Sequence, residues 1–261
     1  MVQGKTMRDR LQEAVGKPHL SYSSLKHALG DMRLWEMYMR GQLKKESDAL
    51  YFGSLYDLLL FEPEKFKDVY YTLDDSSICE SIGGASPRST KRYKEWKAEA
   101  LQTTHNADKI LASEADVKKA HEMIQRLKEC GLYDKRFAGG KYQVEFNVDV
   151  DGVPLKGFLD CLQEGDYIVD SKSSRSIDKF RYDVNSWSYD IQAYIYTKVF
   201  GLKDFYWVVQ EKAYPFYPAD VKCSEETLFR GEMKFHQALE NIQKYLNEKQ
   251  RSEEHFAEFV V

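Results

Sequence analysis

No two cysteines in this chain form a C-x-x-C pair. Cys79, Cys130, Cys161 and Cys223 lie far apart, which argues against a zinc or iron–sulfur centre and for four unrelated thiols. His19, His27, His105, His121, His236 and His255 show no paired metal-ligand spacing either. No apolar run approaches the roughly 20 residues needed to span a bilayer, so a soluble protein is expected. The opening segment MVQGKTMRDRLQEAVGK is polar where a secretory signal would be apolar, so a reducing, cytoplasmic setting is expected. A basic excess is also missing. The net charge is −4, whereas proteins that grip nucleic acid over long surfaces usually carry positive charge. Local potential rather than the total attracts phosphate, so a basic groove in an acidic protein remains compatible with that value. No low-complexity stretch divides the 261 residues. One elaborated domain is expected over 1–261, with 1–140 mainly helical and a sheet with C-terminal helices over 141–261; two weakly separated lobes are the alternative.

The composition is that of a folded chain, 43% hydrophobic and 14% aromatic, enough for one sizeable core. Hydroxyls at Ser21-Tyr22-Ser23-Ser24 precede LKHALGDMRLWEMYMRG, where Leu25, Leu29, Met32, Leu34 and Trp35 recur at helical spacing until Gly41. That pattern predicts one helix. Met32, Trp35, Met37 and Met39 read as core. A second helix is expected from about Ser47 to Phe61, ending before Pro63. Leu73 to Arg88, rich in Ser, Gly and Asp, reads as a loop. Helices are expected over 89–103 and 108–130. At Tyr142 the period changes to alternation: YQVEFNVDV and VPLKGFLDC flank Asp151-Gly152, a hairpin signal, and YIVDSKS follows Glu164-Gly165-Asp166. A helix over 185–200 carrying Trp187, Ile191, Tyr194 and Ile195, a strand FYWVVQE and a long helix over 225–250 complete the pattern.

Register gives these strands chemical meaning. A two-residue turn at Asp151-Gly152 pairs Val150 with Val153 and Glu145 with Phe158, placing Glu145 and Asp160 on one face. A three-residue turn at 164–166 sets Asp160 opposite Asp170, with Lys172 on the same face two residues later. One face thus gathers Glu145, Asp160, Asp170 and Lys172. Crowded carboxylates repel and are costly to desolvate unless a cation neutralises them. Oxygen ligands without His or Cys suit Mg²⁺ or Mn²⁺. A lysine beside such a metal can orient or help deprotonate an attacking water, or offset charge on a pentacovalent phosphate. By itself a D-x-K triplet is common, and a solvated strand face with alternating charges is its plainer reading.

The flanking motifs narrow that choice. GFLDCLQEGDYIVDSKSS resembles the hairpin and D-x-K segment of PD-(D/E)XK nucleases, with Leu159-Asp160 where the name's Pro-Asp would stand. YDIQAYIY supplies Gln192-x-x-x-Tyr196, similar to the helical Q-x-x-x-Y of the RecB-like branch. LSYSSLKHAL and ALYFGSLYDLLLFEPEKF resemble the N-terminal helices of phage RecE-type (YqaJ, lambda-exonuclease-like) exonucleases. The likeness runs from about Leu20 to Leu246. It implies an α/β (α+β) restriction-endonuclease-like fold, with a central mixed sheet flanked by helices and a helical N-terminal half. It also implies two divalent ions, with Asp160, Asp170 and the Ser171 carbonyl as metal ligands, Glu145 binding directly or through water, and Lys172 as the catalytic lysine. Gln192 and Tyr196, one helical turn apart, can face the site or simply pack the helix on the sheet. Where the family usually places a metal-contacting His, this chain has Asp57, which can ligate metal or pair locally.

Ser21, Ser23 and Ser24 could present donors to a DNA phosphate or serve as an ordinary cap. Arg175 could meet a terminal phosphate or stay solvated. The resemblance implies a Mg²⁺-dependent exonuclease acting on double-stranded DNA ends, of 5′ to 3′ polarity, phage- or prophage-encoded. It further implies a role in recombination with a single-strand annealing protein, and a ring, tetramer before trimer. Rival readings are another RecB-like nuclease, such as an endonuclease or a CRISPR-adaptation nuclease, and a non-catalytic DNA-binding or assembly module. The CRISPR type adds a cysteine cluster that this chain lacks, and intact Asp160, Asp170 and Lys172 argue against a non-catalytic module.

Overall fold

Thr6 and Asp9 form a capping box at the start of α1 (Met7–Val15), and Gly16, left-handed at φ 75°, ends the helix. Ser21 and Ser24 cap α2 (Tyr22–Ala28) in the same way, and α3 (Met32–Met39) starts from Asp31, whose side chain accepts the Arg33 N–H. The single helix expected here is therefore two. The apolar period runs through the break, but Gly30 disfavours helix and Asp31 gains as a cap a partner it would lack mid-helix. The computed structural model describes residues 5–43, 48–103 and 108–258. Its chain falls into two units, one comprising Met1–Glu46 with Lys128–Val261 and the other Ser47–Leu127.

In the second unit, α4 (Asp48–Phe61) buries Phe52, Leu55, Tyr56, Leu59, Leu60 and Phe61; its expected start at Ser47 lies outside the described residues. After α5 (Phe66–Val69), β1 (Tyr70–Leu73) pairs in parallel with β2 (Ile110–Ser113), and α6 (Ser76–Ile82) and α7 (Lys91–Thr103) lie between them in sequence. α8 (Glu114–Glu129) begins where the Ser113 hydroxyl accepts the Asp116 N–H. The expected loop at 73–88 thus holds a helix, and the expected helix at 108–130 opens with a strand. Four-residue strands are too short to show a period. The 73–88 segment is organised instead by buried Asp75, which accepts from Arg88 Nε at 2.7 Å and Nη2 at 2.8 Å and from Tyr93 Oη at 2.8 Å.

The first unit continues with α9 (Leu132–Arg136), β3 (Lys141–Val150), β4 (Val153–Gln163), β5 (Tyr167–Ser174), α10 (Ile177–Ser186), α11 (Tyr189–Phe200), β6 (Asp204–Glu211), β7 (Pro218–Lys222) and α12 (Glu225–Glu258). The sheet runs β3-β4-β5-β6-β7; only β5 and β6 are parallel. Its register is the one expected, with Val150 opposite Val153, Glu145 opposite Phe158, and a three-residue turn closing Gln163 on Tyr167. α10 and β7 were not foreseen, and the helix expected from 185 starts at Tyr189, after Ser188 turns left-handed at φ 58°. Leu20, Leu25, Trp35, Leu159, Ile168, Ile191, Phe205, Trp207, Ala238 and Ile242 belong to one buried core, which ties α2, α3, α11 and α12 to the sheet. α12 lies so close to α11 that a Cβ on Gly231 would sit 2.1 Å from the Asp190 carbonyl oxygen. Among the described residues no helix is long and apolar enough to cross a membrane.

Candidate active site

The site is a place where the sheet comes apart. β4 and β5 are paired from Gln163–Tyr167 to Cys161–Val169; the next pair would be Asp160 and Asp170. There the Ser171 N–H donates to Asp160 Oδ2 at 2.8 Å, a carboxylate taking the role of a strand carbonyl. Beyond that point the backbone groups of β4 need other partners. Leu20 bridges to Leu155, its N–H donating to the Pro154 carbonyl and its carbonyl accepting the Lys156 N–H, each at 2.8 Å. Tyr196 Oη donates to the Phe158 carbonyl at 2.8 Å. Because α2 begins two residues after Leu20, that bridge brings Tyr22 to the opening.

Asp170 is 1% exposed. Gln192 Nε2 donates to its Oδ1 at 2.7 Å, and Lys172 forms an ion pair with its Oδ2. Burial, then the charge of Asp170, pushes the Asp160 carboxyl up to about 7, against the pull of Lys172 and the Ser171 N–H. Burial likewise raises Asp170, with Lys172 and Gln192 opposing. Burial works against the Lys172 ammonium, yet Asp170 and Asp160 hold it charged. Its Nζ lies 5.0 Å from the centre of the Tyr189 ring. Two carboxylates facing one ammonium leave an uncompensated negative charge in a desolvated place, which a bound cation would relieve. Gln192 Oε1 is buried without a hydrogen-bond donor beside them. The hard oxygens of Asp160, Asp170 and the Ser171 carbonyl therefore suit Mg²⁺ or Mn²⁺.

The structure brings Asp160, Asp170, Ser171, Lys172, Gln192 and Tyr196 together. Glu145 holds the expected register, but Lys156, its diagonal neighbour across the hairpin, takes its carboxylate at 2.9 Å. Among the described residues no three His, Cys, Asp or Glu side chains gather as a metal cluster. Glu145 thus does not join Asp160 and Asp170, as the expected four-residue face required. Asp57 lies on α4 in the other unit, where its charge adds to burial in raising the Tyr70 hydroxyl. Ser21 and Ser24 satisfy each other, Ser21 N–H to Ser24 Oγ at 2.8 Å and Ser24 N–H to Ser21 Oγ at 3.3 Å, so both act as caps; Ser23 is half-buried beside them. Arg175 is exposed just past β5.

Two residues of the site escaped the sequence reading, Tyr22 and Tyr189. Burial raises both hydroxyls, and the charges of Lys172 and Asp170 reach both. A signal existed for one of them: Tyr189, Gln192 and Tyr196 stand at i, i+3 and i+7, on one helical face.

A mixed sheet that splits at two acidic residues, with a lysine two positions past the second and a glutamine from the next helix on it, is the arrangement of PD-(D/E)XK nuclease domains. Residues 21–255 match the family described as PDDEXK-like domain of unknown function (DUF3799), and the chain belongs to that family. No curated protein matches it. Among solved structures it is similar to a Eubacterium rectale protein named "Putative exonuclease", at 17% identity and a TM-score of 0.57, over 95% of this chain and 87% of the other. That likeness shows the fold. An alkaline exonuclease from Laribacter hongkongensis aligns at 10% identity and a TM-score of 0.34, over 74% of this chain and 99% of the other.

Proposed function

We propose that the chain is a Mg²⁺-dependent exonuclease of double-stranded DNA that degrades from 5′ to 3′, resecting ends for phage-type recombination by single-strand annealing. One observation carries the nuclease part: Asp160 and Asp170 are both raised and desolvated beside Lys172, at a point where the sheet gives up its own hydrogen bonds. Groups so perturbed in an opening of the fold are candidates for chemistry. Mg²⁺ or Mn²⁺, as one ion or two, would be held by Asp160, Asp170 and the Ser171 carbonyl, and would supply Lewis acidity and an activated water. Glu145, directly or through water, is proposed as a ligand only of a second ion.

The chain's own groups have separate tasks. Gln192 fixes the rotamer of Asp170 through its 2.7 Å hydrogen bond. Tyr196 holds the β4 backbone at Phe158, two residues before Asp160. Lys172, kept protonated by the carboxylates, is suited to stabilising charge that builds on a phosphoryl oxygen. Arg175 offers a fork of donors to a terminal 5′-phosphate, and a held end would select the scissile bond by distance rather than base identity. Polarity, the recombination role, a ring of four or three subunits and an annealing-protein partner are supported by the motif resemblance and belong to this proposal. The test is digestion of 5′- and 3′-labelled linear duplex and of covalently closed circles, with and without Mg²⁺. Metal-dependent release of the 5′ label first, with closed circles spared, is expected. Rapid cutting of closed circles would make it an endonuclease of the same class.

A further inference from the structure

A continuous line of aromatic groups leads outward from Lys172. Tyr189, 5.0 Å from its Nζ, lies 6.5 Å from the Tyr22 ring. Tyr22 Oη donates to the Trp187 carbonyl at 2.6 Å. Lys26 Nζ stands 5.6 Å from the Tyr22 ring and 5.4 Å from the Trp187 ring. The line ends on the surface, because Trp187 is 54% exposed while Trp35 and Trp207 are 0% and 2% exposed.

An indole left half in water forgoes much of its burial energy, and the local backbone does not account for it by looseness. The Trp187 N–H donates to the Asp183 carbonyl at 2.8 Å, and its carbonyl is held by Tyr22. The ring is thus presented from a fixed junction between α10 and α11, beside a lysine and within a few side chains of the catalytic centre.

We propose that Trp187 is a stacking platform for an unpaired nucleobase of the DNA strand next to the cleavage point, with Lys26 placing positive charge beside the adjoining phosphate. An indole face stacks on any base, so the contact is tolerant of sequence, as a nuclease that walks along DNA requires. It rests on the nuclease reading and sharpens it: the bound substrate has at least one base out of the duplex at the site, and frayed ends are preferred to blunt ones.

The test separates the two ideas by measuring binding without metal and cleavage with it. In EDTA, a 5′-phosphorylated oligodeoxythymidylate should quench the fluorescence of the full-length protein. Trp187→Ala should weaken its binding about tenfold, and Trp187→Phe should restore most of the affinity without the quench. An abasic site walked along the oligonucleotide should, at one position, weaken binding to the wild type by a similar factor and leave Trp187→Ala unchanged. Lys26→Gln should lower the salt dependence of binding by about one counterion. Equal affinity of wild type and Trp187→Ala, with circular dichroism showing both folded, overturns the platform whatever the cleavage assay shows. Binding and quenching without Mg²⁺-dependent cutting keeps the platform and defeats the nuclease reading.

Discussion

The protein buries carboxylates in two opposite ways. Asp75, in the unit Ser47–Leu127, receives both arms of Arg88 and the Tyr93 hydroxyl, and the Arg88 guanidinium holds its carboxyl below the usual range. Asp190, 0% exposed at the start of α11, is met by Arg230 Nε at 2.6 Å and Lys234 Nζ at 2.9 Å. Asp170 is as deeply placed and Asp160 is half-buried beside it, yet the two face each other and share a single lysine, and both are raised. The first kind of site locks structure; the second leaves charge for something that binds. Burial alone does not tell the two apart, whereas the ratio of cations to carboxylates does: at least one cation for each of Asp75 and Asp190, and one lysine for Asp160 and Asp170 together.

The sharpest way to test that division is to remove the unsatisfied carboxylates. Asp170→Ala and Lys172→Ala should each lower kcat at least a hundredfold, the scale of losing one preorganised group. Asp160→Asn should do the same while its melting temperature stays level or rises, because an amide oxygen can still accept the Ser171 N–H without the repelling charge. Near-native activity in a folded Asp170→Ala protein would end the assignment. Next in size, Asp190→Ala leaves two cations stranded against α11 and should cost about 3–5 kcal/mol in denaturant unfolding. A loss near zero would mean that Arg230 and Lys234 simply turn to water. Asp75→Asn should cost less, about 1–3 kcal/mol, because Arg88 is half exposed and can resolvate.

The smallest effect is in pH. Asp75 has a depressed folded value, so its contribution is complete above the unfolded aspartate pKa of about 3.9 and is lost as pH falls through the folded value. Glu36 behaves alike. Burial works against its charge, but hydrogen bonds from Tyr245, Lys249 and Arg40 bring it down to about 2, so its share is lost between about 4.3 and 2. Acid titrations of Asp75→Asn and Glu36→Gln should each be shallower than the wild type over those windows; parallel curves would remove both groups from the acid response.

The site was largely legible because strand register is arithmetic: the three-residue turn at 164–166 puts Asp160 opposite Asp170 and fixes the parity of Lys172. What arithmetic could not supply was competition. Glu145 has the predicted parity, but Lys156 claims it from a diagonal position, a choice set by side-chain reach rather than by pattern. Tyr22 was hidden for another reason. It arrives through the Leu20 bridge to β4, a contact between residues 135 apart in sequence that leaves no periodic trace. The helical half read less well, since the break at Gly30-Asp31 and the helix at 76–82 depend on single caps and one buried ion pair, and hydrophobic spacing is blind to both.

The exposed turn at 164–166 has the unexpected standing of a gauge. Its three residues could be exchanged for many others, since Gly165, left-handed at φ 75°, is the one position whose backbone restricts the choice. Its length could not. Strand faces alternate with a period of two, so one added residue would bring Val169 or Ser171 opposite Asp160 and turn Asp170 to the wrong side of the sheet. Among natural variants of this chain, the turn should therefore drift freely in composition while insertions and deletions are purged from it, the reverse of what surface loops ordinarily tolerate.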